Sequence, residues 1–350
     1  MPLLDRDPGP IEAFLADTKL RVDAHLAAFF EQKREHARSL SAPSVELVEA
    51  VRDFTMRGGK RTRPAILIAG HLAIDPTADL GPLLDACAGL ELLQSYLLIH
   101  DDWMDQDDER RGGTTLHRLF ADRLRDRHLG ASVAILAGDL GNAFSIELVA
   151  RSAGLSKHAG SALEAFWIMQ RDVVYGQALD LIAYRDVALI QRLKTGSYSV
   201  KGPLLLGAAL AGASEADRAS LERYAEPVGL AFQMRDDLLG TFGAPEKTGK
   251  PAGNDLRAGK RTALIEEAEA RSSASEREPL TAVLGKPDAS EPAVRSAMDL
   301  LERCGARAAV EKRIDALDGE AQAALQAAEL SELGRTRLAQ LARMFAYRDR

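Results

Sequence analysis

Cysteine is almost missing from this chain: Cys87 and Cys304 are the only two in 350 residues. They stand far apart and without metal-ligand spacing, which excludes a disulfide scaffold or a zinc ribbon and suits a reducing cytosol. An excess of positive charge is also missing. With 45 Lys and Arg against 52 Asp and Glu, the formal net charge is -7. A phosphate backbone needs a clustered basic face, so no nucleic-acid partner is expected. Long apolar runs are lacking too. The longest, Pro203 to Ala213, is broken by Gly207 and Gly212 and is too short to cross a bilayer, so no membrane span is expected. The N-terminal MPLLDRDPGPIEAF has early acids and prolines and no continuous apolar core, unlike a signal peptide. The expectation is a soluble cytoplasmic protein.

Alternating β-type segments are scarce, no Asn-Gly or Asp-Gly joins two of them as a hairpin signal, and no repeat period suggests a solenoid. What is present is helical periodicity. Apolar residues recur at three and four through Leu83, Ala86, Cys87, Leu90, Leu93 and Leu97, and again through Leu221, Tyr224, Val228, Ala231, Phe232 and Leu238. Two stretches interrupt the pattern: the Gly/Lys/Pro-rich segment Gly243–Thr262, which reads as a lid-like loop, and the polar connection Ser272–Pro292. The expected architecture is all-α, a single large helical domain over residues 1–350 with ten to thirteen helices.

The chemistry concentrates where an apolar run, Ser95–Ile99, drives into HDDWMDQDDERRGG (100–113). On a helix, Asp101 and Asp105 share a face, and Asp102 lies about 100° around the axis. Like charges so placed repel unless a cation sits between them. Two or three carboxylates with open coordination suit Mg²⁺, which keeps waters or substrate phosphates. An EF-hand is excluded, because Arg110 occupies the place of its glycine. Alone, the cluster reads as a solvated helix end. It is not alone: AFQMRDDLLG (231–240) delivers a second pair, Asp236 and Asp237, from a second apolar helix. Two such helices facing each other would hold metal ions and a polyanion between carboxylate walls.

Bases accompany both clusters. RGGKRTRP (57–64) sets Lys60, Arg61 and Arg63 after a Gly-Gly turn, Arg110 and Arg111 follow the first acidic cluster, and Lys194, Lys201, Lys250 and Lys260 lie downstream. Arginine forks and lysine charges bind phosphate. Carboxylates for Mg²⁺ beside bases for phosphate, in an acidic protein, point to a small Mg-diphosphate substrate.

These motifs resemble the trans-isoprenyl diphosphate synthases, the polyprenyl synthetase family. GGKRTRP (58–64), DDWMD (101–105) with RRG (110–112), GQALDL (176–181), KTGSY (194–198), FQMRDD (232–237) and KTGKPAGNDLRAGKRT (247–262) fall in family order across about residues 50–265. The resemblance implies the class I isoprenoid synthase fold with a central hydrophobic cavity. It implies about three Mg²⁺ ions, held by Asp101, Asp105 and Asp236, with Asp102 and Asp237 orienting ligands or waters. Lys60, Arg63, Gln94 and Arg111 match an isopentenyl diphosphate pocket. Arg110, Lys194, Thr195, Gln233, Lys250 and Lys260 match contacts to the allylic diphosphate (dimethylallyl, geranyl or farnesyl). Family members are mostly homodimers. Bulk five and four residues before the first motif, here Tyr96 and Leu97, limits product length. One aromatic rather than two resembles a stop at twenty carbons, geranylgeranyl diphosphate, with farnesyl diphosphate as the alternative.

One departure stands out: Gly240 replaces the third aspartate that many relatives carry in the second motif. A class I terpene cyclase would share the fold but needs no isopentenyl site, against Lys60, Arg63 and Arg111. A noncatalytic subunit of a heteromeric synthase would tend to lose the acidic motifs or bases retained here. Tyr198, Gln177 and His100 read equally well as packing residues, and Gly58 and Gly59 as a simple helix end.

Overall fold

The computed structural model describes residues 9–182, 184–243 and 252–348. Among these, thirteen α-helices have nine or more residues and three are one-turn pieces, beside one π-helical stretch and one 3₁₀ turn, in line with an all-α chain. The chain divides into two compact units: Met1–Trp167 with Pro203–Ser214 and Ser331–Arg337, and Ile168–Gly202 with Glu215–Leu330 and Leu338–Arg350.

The first unit begins with α1 (Ile11–Arg38), α2 (Ala42–Met56), α3 (Thr62–Ile74), α4 (Leu84–Met104), α5 (Leu116–Leu124) and α6 (Arg127–Gly154). On α1 the buried residues Phe14, Thr18, Val22, Leu26 and Phe30 recur every four, which makes one apolar stripe. Helix α3 is buried all round from Arg63 to Ala73, so it forms the middle of this unit. Burying one such leucine fully contributes roughly 2 kcal/mol. Helix α4 packs chiefly on α6, and a glycine sets the closeness. A Cβ on Gly89 would lie 2.7 Å from Val149 Cγ2, and Ser145 Oγ donates to the Gly89 carbonyl at 2.7 Å. By length and hydropathy alone, α4 with its preceding turn and α6 would each reach across a membrane, although neither is an unbroken apolar run. Instead they bury much of that surface on each other.

The second unit takes most of α7 (Ala159–Leu181), then α8 (Val187–Gln191) and a ten-residue π-helical stretch, Arg192–Lys201. Helix α9 (Gly202–Leu210) returns the chain to the first unit. After it come α10 (Glu215–Phe242), α11 (Asn254–Arg257), α12 (Ala263–Arg271), α13 (Glu278–Thr281), α14 (Glu291–Arg303), α15 (Ala306–Ala327) and α16 (Glu332–Tyr347). Helix α10 packs on α15 through Ala231, Leu238, Val310, Ile314 and Leu317. A second cluster, including Leu256, Ile265, Val294 and Leu301, joins α11, α12 and α14.

Two expectations change. The segment Ser272–Pro292 is not wholly a connection: α13 lies inside it, and Ser290, accepting from Ala293 N–H, caps α14 with Pro292 in its first turn. A hairpin also forms where no Asn-Gly or Asp-Gly signalled one. Strands β1 (Glu109–Arg110) and β2 (Gly113–Thr114) pair antiparallel, with Glu109 opposite Thr114. Their two-residue turn, Arg111-Gly112, has positive φ at both positions (52° and 71°), so an arginine takes the place usually held by Asn or Asp.

Candidate active site

The first acidic motif ends α4. Helical geometry carries through its last turn, with Asp105 N–H donating to the Asp101 carbonyl at 2.8 Å, so the two carboxylates share a face. Gln94 and Leu97 lie on the same stripe, seven and four residues earlier. Asp102 points elsewhere and is fully buried. Its Oδ1 accepts from Arg110 Nε at 2.6 Å, and the pair's Nη2 contact is 2.5 Å, while its Oδ2 has no hydrogen-bond partner. Burial pushes the Asp102 carboxyl up to about 6 against the pull of Arg110. Arg110 also reaches Asp107 at 3.1 Å. It ties the acidic helix end to the hairpin.

The same hairpin is laced to the loop after α2. Arg111 Nη1 donates to the Gly58 carbonyl at 2.7 Å, and Arg57 Nη1 donates back to the Thr114 carbonyl at 2.8 Å. Glycines make room for both arginines: a Cβ on Gly59 would meet Arg111 at 3.4 Å, and one on Gly113 would lie 2.8 Å from Arg57 Cζ. Gly58 and Gly59 have φ of +106° and +127°, so they are required by the loop and are more than a helix end. Lys60 is exposed on this loop and Arg63 is buried at the start of α3.

Arg61 has a different role from its neighbours. It sits at φ +53° with its side chain buried, and Nε donates to Asp23 at 2.7 Å. Its Nη1 donates to Glu91 at 2.5 Å and Nη2 to the Thr55 carbonyl at 3.1 Å. All its charge is committed to tying α1, α2 and α4 together. His100 is likewise structural: Nε2 donates to the Ile135 carbonyl at 3.0 Å, and the ring fills the gap at Gly138 of α6. Tyr96 stacks edge-on against His100, ring centroids 4.8 Å apart, beside Gly141. It lies about 140° around α4 from Asp101, whereas Leu97 lies about 40° away, at 100° per residue.

In the second unit, α10 presents Asp236 and Asp237. Asp237 is 4% exposed; its Oδ1 accepts from Gln233 Nε2 at 2.8 Å, and its Oδ2 has no partner. Burial pushes its carboxyl up to about 7, against the Gln233 hydrogen bond and with the charges of Asp255 and Asp236 adding to the rise. Asp236 is more open and accepts from Arg348, a residue just past α16 that sequence reasoning missed. The Arg348 guanidinium lies 4.1 Å above the Phe232 ring, and its carbonyl accepts from Arg235 Nε at 2.7 Å. No motif signals this residue.

Lys194 and half-buried Thr195 lie in the π-helical stretch, and Lys194 Nζ pairs with Asp180 of α7 at 2.6 Å. Such distortions recur at functional sites. The approach requires Gly176, where a Cβ would come within 2.7 Å of Lys194 Cα. Half-buried Tyr198 also belongs to this stretch. Lys260 is exposed and pairs with Asp255 at 3.0 Å. Lys250, and residues 244–251 of the loop-like segment, lie outside the described residues.

Among the described residues, no three carboxylate, thiolate or imidazole groups converge as a ready metal cage. The donors present are oxygens only, and two buried carboxylate oxygens, Asp102 Oδ2 and Asp237 Oδ2, have no hydrogen-bond partner. That set fits Mg²⁺, which binds through one or two carboxylates and completes its shell with water and substrate phosphate.

Known proteins resemble the chain throughout. The polyprenyl synthetase family pattern matches residues 44–301. A short chain isoprenyl diphosphate synthase of Methanocaldococcus jannaschii is 33% identical over 266 residues, 73% of this chain and 76% of that protein. A farnesyl diphosphate synthase of Geobacillus stearothermophilus is 34% identical over 277 residues, 72% of this chain and 82% of that one. The crystal structure of a geranylgeranyl pyrophosphate synthase from Corynebacterium glutamicum, complexed with isoprenyl diphosphate and magnesium, matches with a TM-score of 0.86 at 34% identity, covering 97% of this chain and 99% of that one. The acidic helix ends, the paired glycine loop and the fold therefore have one explanation, and the chain belongs to the polyprenyl synthetase family.

Proposed function

We propose that this protein is an Mg²⁺-dependent prenyltransferase that condenses isopentenyl diphosphate with an allylic diphosphate and makes mainly geranylgeranyl diphosphate. The observation that carries the reading is the pair of acidic helix ends, each with one accessible carboxylate and one buried carboxylate whose second oxygen has no hydrogen-bond partner. Asp101, Asp105 and Asp236 hold about three metal ions against the allylic diphosphate. Mg²⁺, when bound, neutralises the charge that builds on the leaving pyrophosphate as the allylic C–O bond breaks.

The chain's own residues do the rest. Arg110, Lys194, Thr195, Gln233, Lys250 and Lys260 bind the allylic diphosphate and its departing form, with Asp102 and Asp237 orienting them and the waters. Lys60, Arg63, Gln94 and Arg111 hold isopentenyl diphosphate so that its double bond meets the allylic carbon. Proton loss then yields an allylic diphosphate five carbons longer. The apolar stripe of α4 leads the tail away from water, which would quench the cation. Leu97 stands where a second aromatic would stop growth earlier, which supports the twenty-carbon product over farnesyl diphosphate. Two free cysteines suit a cytoplasmic setting. The working form is a homodimer: Leu129 and Leu136, seven apart on one face of α6, are 46% and 58% exposed, an apolar face available for pairing.

Incubation with Mg²⁺, isopentenyl diphosphate and dimethylallyl, geranyl or farnesyl diphosphate, read by mass spectrometry, tests the proposal. It predicts prenyl diphosphates in five-carbon steps ending at twenty carbons. Cyclic hydrocarbon, or no product, would refute it.

A further inference from the structure

Arg348 lies beyond residue 301, where the family pattern ends, yet it reaches the second acidic motif by a built route. On α10, Phe232, Arg235 and Asp236 are three and four residues apart and share one face. All three hold the end of the chain. Phe345, 1% exposed, stacks edge-on against Phe232 with ring centroids 5.1 Å apart. Arg235 Nε donates to the Arg348 carbonyl at 2.7 Å, and the Arg348 guanidinium lies 4.1 Å from the centre of the Phe232 ring. Arg348 Nη2 then donates to Asp236 Oδ1. Tyr347 OH donates to Asp315 of α15 at 3.0 Å, which fastens the same segment on a second helix. We propose that Arg348 is a positioning residue for the second motif: it grips Asp236 through Oδ1 and fixes the carboxylate in the setting that takes a metal ion; this rests on the metal reading above.

An exposed ion pair positions little, because water and rotamer freedom loosen it. This pair is unequal. The Arg348 side chain is 15% exposed and packed on an aromatic face, whereas the Asp236 side chain is 44% exposed. The base is held and the acid is open. The guanidinium offers a rigid fork to one carboxylate oxygen, and the other oxygen is left for a cation. Arg348 Nε is sealed from water without a hydrogen-bond partner. Burying a donor in that way is unfavourable, and the dock on Phe232 and Arg235 keeps it there. Carboxylates that bind metal are commonly oriented by an outer hydrogen-bonding partner of this kind. The first motif has its own arginine: Arg110 grips Asp102 and lies 3.9 Å from Asp101. There the arginine comes from the adjacent hairpin; for Asp236 it comes from the far end of the chain.

The test reads the Mg²⁺ concentration that half-saturates binding of inorganic pyrophosphate to the full chain, by calorimetry, in variants shown to be folded by circular dichroism. R348A should raise that concentration about tenfold, the loss expected for an outer partner of a metal ligand. R348Q, which keeps most of the side-chain length without the charge, should do the same and serves if R348A does not fold. R348K keeps a charged donor for the same carboxylate and should stay within about threefold of wild type. The effect should pass through Asp236, so adding R348A to D236A should change the concentration less than about twofold. R348A and R348Q within about twofold of wild type would overturn the proposal. So would tighter Mg²⁺ binding, which would make Arg348 a competitor of the metal. A further tenfold loss on top of D236A would also overturn it, since Arg348 would then act without Asp236. D236A alone separates the two levels of the argument. If D236A binds like wild type, the metal reading itself falls; if D236A is weakened and R348A is not, only the role of Arg348 falls.

Discussion

Neighbouring charged residues in this chain do opposite work, and burial sorts them. Asp101 and Asp236, the proposed cation ligands, remain partly open, while Asp102 and Asp237 are sealed in beside them. Replacing Asp101 or Asp236 by Ala should cut turnover at least a hundredfold, about 3 kcal/mol or more of transition-state stabilisation, because the lost charge acts where the leaving group develops its own. Steady-state assays at saturating Mg²⁺ check this; near-full activity in either variant would contradict it. Arg61 sits in a phosphate-type motif but spends its charge on Asp23 and Glu91. Arg61→Ala strands Glu91, 3% exposed, without a partner, and should destabilise the first unit by about 3–5 kcal/mol in urea unfolding. The identities of these residues were legible in the sequence. Their division into binders and braces was not, because a motif gives spacing and not the partner that a buried guanidinium meets.

At the scale of elements, periodicity located the long helices well, since three-and-four spacing follows from burying one face. It missed what depends on contacts distant in sequence. The β1–β2 hairpin relies on an arginine at positive φ, a conformation that costs roughly 1 kcal/mol and persists because Arg111 is held by the Gly58 carbonyl. The link from Arg348 to Asp236 joins residues 112 apart and leaves no local trace. Helix α4 sets product length in this account. The Tyr96 ring is fixed between His100 and the Gly141 step of α6, so Tyr96→Ala should open that space and lengthen the product by at least one five-carbon unit. Mass spectrometry decides it, and an unchanged product distribution in an active variant would move the floor elsewhere.

At the scale of the whole molecule, the proposed activity would draw on residues from two compact units, and the proposed homodimer would use a half-exposed face of α6. Light scattering at micromolar concentration should give a dimer mass; a monomer would refute the pairing. The central claim is that both acidic motifs act on one diphosphate. The direct measurement is calorimetric binding of a non-ionisable allylic diphosphate analogue with and without Mg²⁺, for wild type, D101A, D236A and the double variant. Binding should require Mg²⁺ and should fall in each single variant, with the double variant little worse than either, as expected for groups that act as a unit. If either single variant binds the analogue as wild type does, or if the two losses simply add, the motifs serve separate sites and the account is wrong.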